Sequence, residues 1–542
     1  MRLRVIALGV CLMAALAGCG RKAPAPEAPA AKPHHVAATA GHLPAGIDWY
    51  PGGVDAAFAA AKASGKPLFL YWGAEWCPPC AQIKATIFSR REFQERSRLF
   101  VPVYLDGDTP SAQKYGEKFG IVGYPTMILF RPEGTEITRL PGGVDIRLYA
   151  KILDVALASA RPVADILAAA RQGGETAQND WKLLAYYDWA TDNGHVLPQA
   201  ERTATFRQLA ARCPAEIEAD CSRLFFEYLS SAARDAKESK KPAFDGLERA
   251  DGRRKLLTLI DQPSVQQANV EHLLYASPDV VGALSDAGTP ERRQLTTAWS
   301  AALDKLAALK GEGALSTKEQ LNVLRGRVLL AKLDAPDGPL PPALLDEARR
   351  AVARVDATVT EPAARTAAIN AAVGLYWEAG LDAEGNQLLT AELGKSKTPY
   401  YFMLDLADLA EKVGRKDEAV QWLGRAYHGA KGPATRFQWG YNYLTGMIEM
   451  TPGNVKGIEQ AGLDVLGELD GSPDAFYQRT RIRLEQLSDQ LLDWGRTGEA
   501  AKTVGTLRAR TQEICVKLPE GDEGRAACEA FLKRGQPATR RG

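Results

Sequence analysis

The sequence predicts two folds in series: an α/β layered domain over residues 47–161, then a long all-α region over residues 163–535. Three observations carry this. Strand-type and helix-type segments alternate as far as residue 140 and end in two strands joined by a short turn. Beyond residue 163 strand patterns almost vanish, and Ala, Leu, Arg and Glu recur at helical spacing between Gly and Pro breaks such as Thr451-Pro452-Gly453. The length, 542 residues, also exceeds what a single core ordinarily serves.

Taken in order, residues 54–63 are Ala-rich and read as a helix. Residues 67–73 form an unbroken apolar run, the signature of a strand buried on both faces. A helix is expected from Cys77 to about Phe88, a strand over 99–105, a helix over 111–119 and a strand over 126–130. Arg131-Pro132-Glu133-Gly134 reads as a turn, 136–140 as its partner strand and 144–161 as a closing helix. In the helical region, Gly414-Arg415-Lys416-Asp417-Glu418-Ala419 is echoed by Gly495-Arg496-Thr497-Gly498-Glu499-Ala500. Gly380 precedes Gly414 by 34 residues, and Leu375 and Leu409 keep that offset. With small residues at Ala410, Gly414, Ala419 and Ala426, residues 406–427 resemble one tetratricopeptide unit, which implies a solenoid of stacked helix pairs.

The first residues bear on the compartment. Arg2 and Arg4 precede an apolar stretch too short to span a bilayer. It ends in Leu16-Ala17-Gly18-Cys19, which resembles the lipobox of bacterial lipoproteins. The resemblance implies a signal peptide over 1–18, lipidation of Cys19 and attachment to the membrane by that anchor alone. Gly20, where an aspartate would retain the protein at the inner membrane, tilts the expectation to the outer membrane, on the periplasmic side. An Ala- and Pro-rich tether follows over 19–46, and 536–542 form a polar tail. The net charge of +1 carries no nucleic-acid footprint.

Of eight cysteines, six remain beyond Cys11 and Cys19, in three sequence-local pairs: Cys77 and Cys80, Cys213 and Cys221, Cys515 and Cys528. An oxidising envelope permits all three as disulfides, although spacing alone leaves other connectivities open. The last two pairs read as structural staples. Cys77 and Cys80 are different. Two cysteines separated by two residues, where a strand gives way to a helix, can open and close a disulfide with little backbone motion. Backbone N–H groups at the helix start favour the thiolate that attacks disulfides. Zinc would need two further ligands at compatible spacing, and none is nearby. No other cofactor is called for.

Residues 47–161 resemble the thioredoxin-fold family. The likeness rests on Trp76-Cys77-Pro78-Pro79-Cys80, then Val103-Tyr104-Leu105-Asp106, Gly123-Tyr124-Pro125-Thr126, the hairpin from Phe130 to Glu136, and Gly142-Gly143. Ala85-Thr86-Ile87-Phe88-Ser89 is most similar to the periplasmic reductase branch. The resemblance implies that Cys77 is the exposed nucleophile and Cys80 the resolving thiol. It implies that Pro125 is in cis facing them, with Trp76, Tyr124 and Pro125 receiving the substrate. Three positions depart from the pattern. Tyr71 stands where the family has a buried aspartate, Pro102 where a lysine often pairs with it, and Pro78 where thioredoxin has glycine. Glu75 or water would then handle the Cys80 proton.

The function expected is a thiol–disulfide oxidoreductase of the bacterial envelope, a reductase or isomerase rather than an oxidase. Its partners would be proteins bearing disulfides or thiols and an external electron donor or acceptor. The competing expectation is a non-catalytic scaffold that binds partners through its helical repeats.

Overall fold

The computed structural model describes residues 43–142, 146–159 and 161–533. The signal segment, Cys19, nearly all of the tether and the tail lie outside the described residues. The first fold is a four-stranded mixed sheet flanked by helices: α1 (Val54–Ser64), β1 (Leu68–Gly73), α2 (Pro78–Ile83), α3 (Arg91–Arg96), β2 (Val101–Asp106), α4 (Pro110–Lys118), β3 (Thr126–Phe130), β4 (Glu136–Arg139) and α5 (Ile146–Ala158). The strand order is β2-β1-β3-β4. β1 pairs with β2 in parallel and with β3 antiparallel, and β4 closes the hairpin antiparallel to β3.

β1 is central and wholly buried, as its unbroken apolar run requires. Its side chains alternate between two cores. Phe69 and Tyr71 join Phe88, Phe93, Phe100 and Tyr149 on one face. Leu68, Leu70 and Trp72 join Val54, Ala57, Phe119 and Phe130 on the other. The helix expected from Cys77 to Phe88 is interrupted. Its α-helical part stops at Ile83, and Lys84–Phe88 continue as a π-helical turn, a bulge that often marks functional sites. The short helix α3, absent from the sequence expectation, brings Phe93 into the first core.

From Val163 onward every described element is helical. Helix Pro362–Ala379 ends in Gly380 and helix Pro399–Lys412 is followed by Gly414, both glycines having positive φ, so the two sites noted 34 residues apart are the same kind of turn. The first core runs on into this region through Val163, Ile166, Trp181, Tyr187 and Trp189. Arg139 of β4 is fully buried. It pairs with Glu136 at 3.0 Å and donates to the carbonyls of Phe119 at 2.5 Å and Thr191 at 2.6 Å, tying the sheet to the helices.

Candidate active site

Cys77 caps the N-terminus of α2, with Pro78 in the first turn. Proline fits there because the missing N–H would have had no helical partner and its fixed φ is already helical. The amide N–H of Cys80 points back at Cys77 Sγ, 3.1 Å away. A hydrogen bond of this kind favours a thiolate on that sulfur. Cys77 and Cys80 form a disulfide, with Cα atoms 5.2 Å apart. The Tyr124–Pro125 peptide bond is cis. The Tyr124 ring lies 5.3 Å from that of Trp76, which joins the loop between α4 and β3 to the cysteine loop. Gly107 supports this corner: any side chain there would overlap the Tyr124 ring.

The place of the family's buried aspartate is taken by Tyr71. Its hydroxyl is buried without a hydrogen-bond partner, and burial holds its pKa far above the usual phenol range, so it stays neutral. Glu75, the sequence candidate for proton handling, is exposed. The perturbed carboxyl is Asp108, which the sequence did not single out. Burial first, then the Asp106 charge, push it up to about 7, while the Trp76 hydrogen bond and Arg479 pull it down. Lys84, one helical turn beyond Cys80, is buried. Desolvation lowers its pKa, while Glu75 and Asp106 act in the opposite sense.

The family fold in its simplest form leaves the nucleophile exposed, and that expectation for Cys77 fails here. Cys77 is 2% exposed and Cys80 fully buried. The cover comes from the helical region. The Trp76 indole N–H is shared between Asp108 Oδ1 at 3.0 Å and Thr435 Oγ1 at 3.1 Å. Trp439 meets the Trp76 ring edge-on at 4.9 Å and Tyr401 stacks on it at 6.0 Å. The Arg479 guanidinium lies 5.8 Å from the Trp76 ring and 5.5 Å from that of Tyr124. Tyr401 lies in the run Tyr400-Tyr401-Phe402 and Trp439 close to Tyr441 and Tyr443, but nothing local in the sequence says that they meet a residue more than 300 positions earlier. Cys213 is paired with Cys221 and Cys515 with Cys528, each closing a short loop of helical chain. Among the described residues no group of three or more His, Cys, Asp or Glu side chains could hold a metal ion.

Part of the chain also matches known proteins in sequence. A family described as thioredoxin-like domain matches residues 54–157. A thioredoxin from Pseudomonas aeruginosa is 33% identical over 95 residues, which make up 17% of this chain and 81% of that protein. The chain belongs to the thioredoxin family. The same bacterium's thiol:disulfide interchange protein DsbD 1 is 29% identical over 99 residues, 18% of this chain and 17% of that one. The chain thus spans less than a fifth of the length of that relative. A solved thioredoxin from Thermus thermophilus is 27% identical, with 20% of this chain and 85% of that one covered and a TM-score of 0.19. With its Cys77–Cys80 disulfide, the thioredoxin-family domain holds an active site of the disulfide oxidoreductase type. The helical region lies outside the family match.

Proposed function

We propose that the protein exchanges disulfides with client proteins in the bacterial envelope, with Cys77 as nucleophile and Cys80 as resolving thiol. The observation that carries this reading is the Cys77–Cys80 disulfide at the start of α2, beside the cis Tyr124–Pro125 segment. In the reducing direction the Cys77 thiolate attacks one sulfur of a client disulfide and releases the other as a thiolate, leaving a mixed disulfide. Cys80, deprotonated, then attacks the Cys77 sulfur. The second client thiolate leaves, and the Cys77–Cys80 disulfide closes. Two electrons pass to the client, and an external dithiol donor must restore the pair. Trp76, Tyr124 and Pro125 receive the client segment. The likeness to a protein named for thiol:disulfide interchange supports exchange chemistry, and reduction or isomerisation is the direction proposed.

The Leu16-Ala17-Gly18-Cys19 motif supports lipidation at Cys19 and a periplasm-facing outer-membrane anchor. No described helix is long and apolar enough to cross a membrane. Residues 47–161 act as the exchange domain. The 163–535 region, tetratricopeptide-like around Gly380 and Gly414, positions clients. Cys213–Cys221 and Cys515–Cys528 serve as staples.

The test is insulin reduction with dithiothreitol as donor, read as the acceleration over dithiothreitol alone. Cys77→Ser abolishes it, and Cys80→Ser accumulates client mixed disulfides on Cys77. Undiminished reduction by the Cys77→Ser protein would refute the assignment. A scaffold without catalysis predicts instead that Cys77→Ser leaves the cellular phenotype intact.

A further inference from the structure

The thioredoxin-family domain and the helical region meet at the exchange pair itself. A client disulfide can react only if its sulfur reaches Cys77 Sγ, and Cys77 is 2% exposed. The covering contact is specific in shape and in hydrogen bonding. Thr435 shares the Trp76 N–H, and the Ala434 N–H donates to the Asp108 carbonyl at 3.1 Å. Gly432, at φ +83°, lies so close that a Cβ there would sit 2.8 Å from that of Asp108. On the opposite side Gln82 donates to Ser316 at 2.9 Å, and helix Pro362–Ala379 packs along α2.

The rim of this contact is polar. Glu117 of α4 pairs with Arg481 at 2.8 Å and accepts the Gln478 backbone N–H at 2.9 Å. Lys114 pairs with Asp474 at 3.6 Å. An aromatic centre with a charged rim is the anatomy of a protein–protein interface, and a local opening at Trp76, with the core through Val163, Trp181 and Trp189 left packed, frees Cys77 without separating the two folds.

We propose that Tyr401, Thr435, Trp439 and Arg479 form a cap that determines which substrates reach Cys77. Seated on Trp76, the cap withholds the dithiol from protein disulfides, and a client gains access when the helical region lifts off that ring. The proposal rests on the redox reading of the site and adds its regulation. Reactivity toward proteins then scales with the open fraction, whereas a small disulfide that slips in during brief openings depends on it less.

The test uses the full chain with the Cys77–Cys80 pair reduced. Arg481→Glu sets a carboxylate against Glu117 at the rim, away from Trp76. Loss of the pair together with like-charge repulsion should raise the open fraction about 3- to 10-fold. Insulin reduction and alkylation of Cys77 by a polymer-tagged maleimide, located by peptide mass mapping, should rise by that factor. Both should fall back when Glu117→Arg is added. Equal rates in all three proteins, with Ellman's reagent still reduced rapidly, would overturn the cap and leave the redox reading standing. Failure of the unaltered protein to react with Ellman's reagent would overturn the redox reading and the cap with it. A measurement without substitutions guards against misfolding of the variants. In the unaltered protein the polymer maleimide should lag iodoacetamide at Cys77 by about tenfold more in the native state than in denaturant. Equal ratios in the two states would overturn the cap.

Discussion

At the scale of single residues, the site differs from the family pattern in its titratable groups. Tyr71 cannot ionise in the working range, and Asp108 is the carboxyl whose environment brings it there. The sign of its effect on stability follows from linkage. Asp108 is raised from the usual carboxylate range to about 7, so the folded chain holds this proton more firmly than the unfolded one. Its contribution is complete below about pH 4 and is lost as pH rises through 7. Asp188 and Asp405, both raised to about 7 by burial, act in the same direction, so the difference between proteins isolates Asp108. Asp108→Asn mimics the protonated form. Its melting temperature should drop less between pH 5 and pH 8 than that of the unaltered protein, and parallel pH profiles would show that Asp108 does not titrate there. Arg139 gives a second prediction. Arg139→Leu leaves Glu136 and the Phe119 and Thr191 carbonyls without their buried donor, and should cost about 3–5 kcal/mol by urea denaturation.

At the scale of elements, the local rules explain most of what forms. The apolar run of β1, Pro78 at the start of α2 and the positive-φ glycines after helices were legible because each acts through its own neighbours in the chain. The π turn at Lys84–Phe88 was not, because its apolar residues suit an α-helix equally well. Helix α3 was too short and too charged for its one buried aromatic, Phe93, to register as a period. The disulfide between Cys515 and Cys528 joins helix Gly498–Cys515 to helix Glu523–Ala530 across a separation of 13 residues. Removing it with Cys515→Ala and Cys528→Ala should cost about 3 kcal/mol, chiefly by freeing the unfolded chain. Exchange of a small disulfide at Cys77 should be unchanged; thermal unfolding and Ellman's reagent check the two halves of that expectation.

At the scale of the whole molecule, the two folds share their cores. One cluster runs from β1 and α5 into Trp181, Tyr187 and Trp189, and another joins Trp76, Cys77 and Cys80 to Tyr400, Trp439 and Phe476. Neither fold can lose its packing without exposing apolar surface of the other. Calorimetry of the unaltered protein should therefore show the thioredoxin-family domain melting together with the helices that cover it, in one transition. A separate early transition, with the Trp76 environment unchanged through it, would show that the shared cores do not couple them.

The sequence by itself determined the order of the two folds, the strands and most of the helices of the first, and the cysteine pair with its proline. Each of these rests on local periodicity, turn chemistry or a short motif. Tertiary structure alone decided that Cys77 is covered, that Asp108 lies in reach of the Trp76 indole, and that Tyr401, Thr435, Trp439 and Arg479 complete the site. Burial and pKa depend on what the chain brings together across hundreds of residues. A side chain's local sequence says whether it prefers water, but not which distant surface will take the water away.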